Sequence, residues 1–244
     1  MRIAAPPLVL HRTLPAPCPY LKGRIEQRVV VSLEETPAGT FDRLSRTGFR
    51  RSHAFAYRPA CRGCSACIPI RIPVATFAPD RTQRRLFRRN TDLVSEERPA
   101  IANREHFSLF KSYVVDRHSD GDMASMTFGD FRSMIEDAVE GTRTIEHRDA
   151  SGRLVAVVLI DRLSDGLSAV YSFFDATQPR RSLGTHVVLD MIERSKAESL
   201  AYVYLGYWIA DSRKMAYKIK FRPSEVMVAG SWRPFAEAVG GAGG

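Results

Sequence analysis

Three of the four cysteines stand in one tight run, Cys61-Arg62-Gly63-Cys64-Ser65-Ala66-Cys67, and the fourth, Cys18, lies upstream between two prolines. A C-x2-C-x2-C run brings three sulfurs together only if the backbone curls around a common point. Gly63, Ser65 and Ala66 are small enough to let it. Four thiolates suit a tetrahedral zinc ion or a four-cysteine iron–sulfur cluster, and the spacing does not choose between them. The alternatives are a disulfide pair or unconnected buried thiols. Neither accounts for two-residue gaps, because cysteines that close rarely reach disulfide geometry with each other. Cys18, Cys61, Cys64 and Cys67 are therefore the candidate metal ligands.

A chain of 244 residues has room for a sizeable core, as one large domain or two small ones. No stretch approaches the ~20 apolar residues of a membrane span, and the start, Met1-Arg2-Ile3-Ala4-Ala5-Pro6-Pro7, is too proline-broken for a signal peptide. The expected place is the cytoplasm, where thiols stay reduced and favour metal ligation. Lys plus Arg number 36 against 27 for Asp plus Glu, a net +9 that suggests a polyanionic partner, with plain solubility the alternative.

The positive charge is concentrated. Between positions 71 and 89 stand Arg71, Arg81, Arg84, Arg85, Arg88 and Arg89, offset by Asp80 alone, and Arg46, Arg50 and Arg51 precede the cysteine run. If 81–89 is helical, Arg81, Arg84, Arg85 and Arg88 share a face. Arginine suits repeated phosphate contacts through its planar fork, whereas a merely solvated face this unbalanced would repel itself.

Two halves are expected. Residues 1–90 read as a proline-, arginine- and cysteine-rich N-terminal domain, with strands at 26–32 and 67–74 and a helix at 40–47. Residues 100–235 are more regular, with helices over 103–116 and from a Thr127 cap to about 140, and strands at 142–148, 153–163 and 167–175. A basic, glycine-containing loop, 175–185, then leads into a helix ending near Lys196, followed by a strand at 200–205. A helix start of this kind is a ready anion site, and Gly184 would let a ligand approach the backbone. Residues 236–244 read as a flexible tail. The order strand–strand–strand–loop–helix–strand resembles the GCN5-related acyltransferase fold, which alone would suggest a coenzyme A-dependent N-acetyltransferase. The fold class is thus α/β (α+β): an acyltransferase-like mixed sheet with a smaller cysteine-containing N-terminal domain.

A closer resemblance rests on longer segments. These are Cys18-Pro19-Tyr20-Leu21, Gly48-Phe49-Arg50-Arg51-Ser52, Tyr57-Arg58-Pro59-Ala60-Cys61, Arg88-Arg89-Asn90-Thr91-Asp92-Leu93, Arg117-His118, Asp165 through Asp175, Arg181-Ser182-Leu183-Gly184-Thr185, Tyr204-Leu205-Gly206-Tyr207-Trp208-Ile209 and Lys214-Met215-Ala216-Tyr217-Lys218. In this order, over about residues 18–232, the chain resembles the arginyl-tRNA–protein transferase family. Within it, the likeness is to the bacterial branch that moves leucine from leucyl-tRNA onto proteins beginning with Asp or Glu, marking them for degradation. His186 departs from the pattern, which suggests an aromatic such as tyrosine there. Choice of leucine over arginine as donor follows from the branch alone.

The resemblance implies an acyl group taken from aminoacyl-tRNA, with no soluble organic cofactor, no DNA and no membrane partner. A monomer suits an enzyme that admits both a tRNA and a protein end. The nucleophile would be the acceptor α-amine, whose pKa of about 7.7–8.0 leaves a useful fraction deprotonated at neutral pH. The catalytic candidates are Tyr171, Asp175 and Tyr207. Asp175 would accept the amine proton or hold the donor's ammonium group, its alternative being a turn cap, and Tyr207 or Tyr217 would donate to the leaving ribose oxygen. Arg84, Arg85, Arg88, Arg181, Gly184 and Lys218 are the tRNA candidates. For the acidic acceptor end the candidates are Arg50, Arg51 and Arg71, because a bidentate arginine matches a carboxylate. His53, His106, His118 and His147 form no metal-ligand pair at helix spacing. A non-catalytic RNA-binding protein with a structural zinc is the remaining alternative.

Overall fold

The computed structural model describes residues 7–34, 36–118 and 122–240. The chain divides into two compact units, one formed by Met1–Ile72 with Leu205–Gly244 and the other by Pro73–Tyr204. The first opens with β1 (His11–Arg12), β2 (Ala16–Pro17), β3 (Ile25–Glu26) and β4 (Arg28–Ser32), then α1 (Thr40–Arg46), β5 (Arg50–Ser52), β6 (Phe55–Pro59) and β7 (Ile68–Pro73). β1, β4, β6 and β5 form an antiparallel sheet in that order, with Val30 opposite Tyr57 and Arg51 opposite Ala56. The cysteine run is the loop from β6 to β7, and Cys18 directly follows β2.

The second unit follows: α2 (Arg81–Arg89), β8 (Val94–Pro99), α3 (Arg104–His118), α4 (Phe128–Glu136), β9 (Thr142–Arg148), β10 (Leu154–Leu163), β11 (Gly166–Phe174) and α5 (Leu183–Ala197). β12 (Tyr202–Trp208) begins here, and the boundary between units falls inside it. β8 to β11 are antiparallel neighbours in sequence order, and Gly166–Ser168 of β11 pair parallel with Tyr202–Tyr204. This is the strand–strand–strand–loop–helix–strand order of an acyltransferase-like mixed sheet. β10 is buried along nearly its whole length, which explains its unbroken apolar run. Phe110 and Val114 of α3 and Phe131 and Ile135 of α4 pack on Leu154, Val157, Leu159 and Phe173. α4 starts as its sequence directs: Asp130 N–H donates to Thr127 Oγ1 at 3.2 Å and Thr127 N–H to Asp130 Oδ2 at 2.8 Å. Asp80 and Gln83 cap α2 in the same reciprocal way.

The chain then returns to the first unit with β13 (Glu225–Val228), β14 (Ser231–Pro234) and α6 (Phe235–Gly240). β13 pairs antiparallel with both β14 and β7. The compact units do not follow the division at about 90 expected from sequence. The N-terminal strands are completed by the C-terminal segment, through Arg71–Glu225 and a Trp232 Nε1–H donating to Arg46 O at 2.9 Å. α2, which the sequence reading grouped with the N-terminal domain, belongs to the second unit, where Phe87 packs on His186 of α5. The tail expected from 236 is helical as far as Gly240, and 241–244 lie outside the described residues.

Candidate functional site

In the first unit four sequence motifs, 48–52, 57–61, 204–209 and 214–218, meet at a kink in β12. Gly206 has φ +78°, and a Cβ there would sit 2.9 Å from Arg50 Nε, so the guanidinium lies directly against the strand's backbone. Tyr207 is buried, and its hydroxyl donates to Gly48 O at 2.9 Å and Tyr57 O at 3.3 Å. Burial raises its pKa, so the proton stays with the oxygen and is committed to main-chain carbonyls. Lys218 donates from Nζ to Tyr207 O at 2.6 Å. Burial first, and then the charge of Arg50, push Lys218 down to about 7. Two cationic side chains thus stand together at one bend of the strand.

Lys218, expected from sequence to hold the tRNA 3′ end, is only 6% exposed, and its side chain lies inside the unit. Arg51 is buried, with Nη1 donating to His53 O at 3.0 Å. Arg71 is buried too, with Nε donating to Glu225 Oε2 at 2.7 Å and its guanidinium 4.3 Å over the Trp232 ring. Both hold the unit's own structure.

All four cysteines line a single cavity with Tyr20, Glu26, Arg28, Tyr57 and Tyr207. Gly63, at φ +65°, turns the run, and Gln27 N–H donates to Cys61 Sγ at 3.4 Å. Cys67 is pushed up to about 11 by burial and by its nearness to Cys18, Cys61 and Cys64. None of the four is disulfide-bonded. The donor set is the one a tetrahedral ion or cluster takes. The sulfurs face the cavity without closing a coordination shell: among the described residues, no three His, Cys, Asp or Glu side chains are placed to hold a metal ion. The ion pair Glu26–Arg28, at 2.8 Å, with Arg28 5.0 Å over the Tyr57 ring, forms a wall of this cavity that the sequence reading missed. Tyr57 lies in a recognised motif, but nothing in the spacing marks Glu26.

In the second unit, Asp175 directly follows β11 and caps the turn after it. Its Oδ1 accepts from Thr177 N at 3.0 Å and Thr177 Oγ1 at 2.6 Å, and its Oδ2 accepts from Gln178 Nε2 at 2.7 Å. Burial works against its ionisation, but these bonds and the charge of Arg153 outweigh it and lower its pKa. A carboxylate so satisfied is a weak proton acceptor. Tyr171 differs. Its hydroxyl is buried with no hydrogen-bond partner among the described residues, and burial keeps it protonated. A neutral O–H donor without an acceptor is an exception in folded proteins that calls for a reason.

Arg181 is bound to Asp92 through Nη1 at 2.8 Å and Nη2 at 2.7 Å, and through Nε to Gln178 Oε1 at 2.8 Å. Asn90 is buried and donates from Nδ2 to Arg181 O at 2.9 Å. Two motifs far apart in sequence, 88–93 and 181–185, are thereby clasped. The Cβ that Gly184 lacks would lie 3.0 Å from the Phe174 ring, so any larger residue there would press on that ring. Arg84, Arg85 and Arg88 stand exposed on α2. The side chain of His118 lies outside the described residues. No described helix is long and apolar enough to cross a membrane.

Sequence profiles described as "Arginine-tRNA-protein transferase, N terminus" and "Arginine-tRNA-protein transferase, C terminus" match residues 16–85 and 105–228. A Gluconacetobacter diazotrophicus protein named aspartate/glutamate leucyltransferase is 53% identical over 229 residues, 93% of this chain and 88% of that protein. A Paramagnetospirillum magneticum protein of the same name is 51% identical over 235 residues, 96% of each. The structure of L-PGS from Bacillus licheniformis is similar in fold, with a TM-score of 0.50 at 12% identity, over 69% of this chain and 58% of that one. The chain belongs to the arginine-tRNA–protein transferase family.

Proposed function

We propose that this enzyme moves leucine from leucyl-tRNA to the α-amine of proteins that begin with aspartate or glutamate, marking them for degradation. The names of its close relatives support the donor and the acceptor. The observation that carries the reading within the molecule is the pairing of Arg50 and Lys218 at the Gly206 bend. An arginine beside a buried lysine poised near neutral pH favours an incoming anion, which would also hold the proton on Lys218, and the side-chain carboxylate of an acidic first residue supplies one. Arg51 and Arg71 support this place through their bonds to His53 and Glu225.

In the transfer, the ester bond between the leucyl carbonyl carbon and the ribose oxygen breaks and an amide bond to the acceptor nitrogen forms. The amine gives up a proton and the ribose oxygen gains one. The ester is reactive and the amine partly deprotonated, so positioning is the main requirement, and no covalent enzyme intermediate is needed. We assign Tyr171 O–H as donor to the ester carbonyl oxygen as charge develops there. Asp175 and Arg181 hold the loop between β11 and α5, where the 3′ end of the RNA is assigned, and Tyr207 holds the β12 bend. A tRNA donor implies a cytoplasmic reaction.

The test offers purified protein two radiolabelled donors, leucyl-tRNA and arginyl-tRNA, with peptides beginning with Asp, Glu, Lys or Ala. Label from leucyl-tRNA on only the Asp and Glu peptides is expected. Label from arginyl-tRNA alone would reassign the donor. No transfer from either, with acetyl-CoA protecting the protein from thermal unfolding, would replace the reading with an acetyltransferase.

Cys18, Cys61, Cys64 and Cys67 are, in this proposal, the ligands of a zinc ion or an iron–sulfur cluster. When bound, the group would staple the β6–β7 loop and leave the acyl chemistry to the protein. Protein purified without oxygen should carry about one zinc, or iron with matching sulfide, per chain. Cys61→Ser/Cys64→Ser should lose it and melt at lower temperature. Metal-free wild-type protein with the same melting temperature as the variant defeats the assignment.

A further inference from the structure

The arginines around α2 separate into two groups. Arg84 Nη1 donates to Pro79 O at 2.5 Å, Arg89 Nη1 donates to Arg180 O at 2.6 Å, and Arg181 is held by Asp92. These three serve the fold. Arg81, Arg85 and Arg88 do not: they are exposed, and no side chain or carbonyl among the described residues pairs with their guanidinium groups. Spaced i, i+4, i+7, they lie along one side of the helix over about 10 Å. This side is opposite the one that carries buried Gln83 and half-buried Leu86. Arg180, exposed on the turn that Arg89 touches, stands at the end of the same ridge. Asp80, the nearest acid in sequence, is occupied in capping the helix, where its Oδ1 accepts from Gln83 N at 2.8 Å.

Like charges at helix spacing repel by a few tenths of a kcal/mol per pair, and among the described residues no carboxylate pairs with these three to offset the repulsion. A line of arginine forks on a convex helix face matches a line of phosphates. We propose that Arg81, Arg85, Arg88 and Arg180 form a docking surface for the sugar–phosphate backbone of the donor RNA. The proposal rests on the transferase reading for the identity of that RNA. It adds that recognition here is by charge alone. The exposed aromatic of this helix, Phe87, lies on the other side, against His186, so among the described residues the arginine side of α2 carries no ring for a base to stack on and tRNA identity is not read there. An unrelated RNA duplex docks on it as deacylated tRNA does.

The test measures binding of deacylated tRNA, and of an unrelated RNA duplex, to the full chain by fluorescence anisotropy at several salt concentrations. For Arg81→Gln/Arg85→Gln/Arg88→Gln, the slope of log Kd against log salt should fall by about 2–3, because each phosphate contact contributes roughly 0.7–0.9. At ~0.1 M salt the same contacts weaken binding by on the order of tenfold to a hundredfold. Both RNAs should change alike. Glutamine is a comparable helix former, and far-UV circular dichroism with an unaltered melting temperature checks the fold. Arg132→Gln, on the exposed face of α4, removes a charge elsewhere and should leave slope and Kd as in wild type. An unaltered slope in the triple variant overturns the proposal. So does a loss confined to tRNA, which would mean base readout, or a raised KM for acidic acceptor peptides with RNA binding intact, which would mean a protein partner. Because uncharged RNA is used, failure of leucyl transfer would leave this result standing.

Discussion

His186 sits where the family pattern suggests an aromatic ring, and its surroundings explain how an imidazole fills that place. It is buried on α5, with the Phe87 ring 5.7 Å away and His147 of β9 5.4 Å away. Burial first, and then the nearness of His147, push it down to about 4; Asp190 acts the other way, and Arg181 and Asp92 follow with opposite signs. The ring is therefore neutral and used as an aromatic. The consequence for stability has a definite sign. An unfolded chain protonates this histidine near pH 6.5, whereas the folded protein resists until about pH 4. Between those values the unfolded state binds the extra proton, so stability is complete above pH 6.5 and is lost as pH falls toward 4. The loss from this one group is on the order of 3 kcal/mol. His186→Phe keeps the ring and removes the proton site. Urea unfolding at pH 8 and at pH 4.5 should show wild type losing about 2–3 kcal/mol more than the variant. Equal losses would mean that the ring is accessible to protons in the folded state.

At the scale of elements, what the sequence shows depends on how local the cause is. β10 is visible because a strand covered on both faces carries a long apolar run, here 154–160, and α4 because its cap lies within four residues of its start. β8, with the sequence Val-Ser-Glu-Glu-Arg-Pro, is not visible. It is an edge strand with one polar side, and its pairing with β9 supplies what its composition lacks. β13 and β14 are short and half exposed, and they form because β7 offers an edge to pair with. The candidate site divides in the same way. Cys61, Cys64 and Cys67 are legible as a set because their spacing is local to one run, whereas only the fold brings Cys18 to the same cavity. That Arg181 belongs to Asp92 is not, because the two stand 89 positions apart and either could equally have faced a ligand. The sequence places arginines on α2; only the folded helix shows which of them are occupied by carbonyls.

For the whole molecule, the discontinuity of the first unit has the largest consequence. A reading that follows composition along the chain sees cysteine, proline and arginine give way to regular helices and strands near residue 90, and it takes that change for a boundary. Composition records what each segment is made of, whereas a domain is defined by what each segment must bury against. Here the N-terminal segment buries Gly48 and Arg71 against partners more than 150 positions later, through Tyr207 O–H to Gly48 O and Arg71 to Glu225. A fragment of residues 1–90 keeps β7 but loses β13 beside it, and it keeps Arg71 without its carboxylate or the Trp232 ring. A buried arginine stripped of its partner costs several kcal/mol, comparable to the whole stability of a small domain. The 1–90 fragment is therefore expected to show no cooperative unfolding transition by circular dichroism. Residues 73–204, which hold the Phe110–Phe131–Phe173 core within one continuous stretch, should unfold cooperatively alone. A sharp transition for 1–90 would restore the boundary at 90. Its absence, with a sharp transition for 73–204, would mean that the acceptor-side groups Arg50 and Lys218 can be assembled only once the last part of the chain is in place.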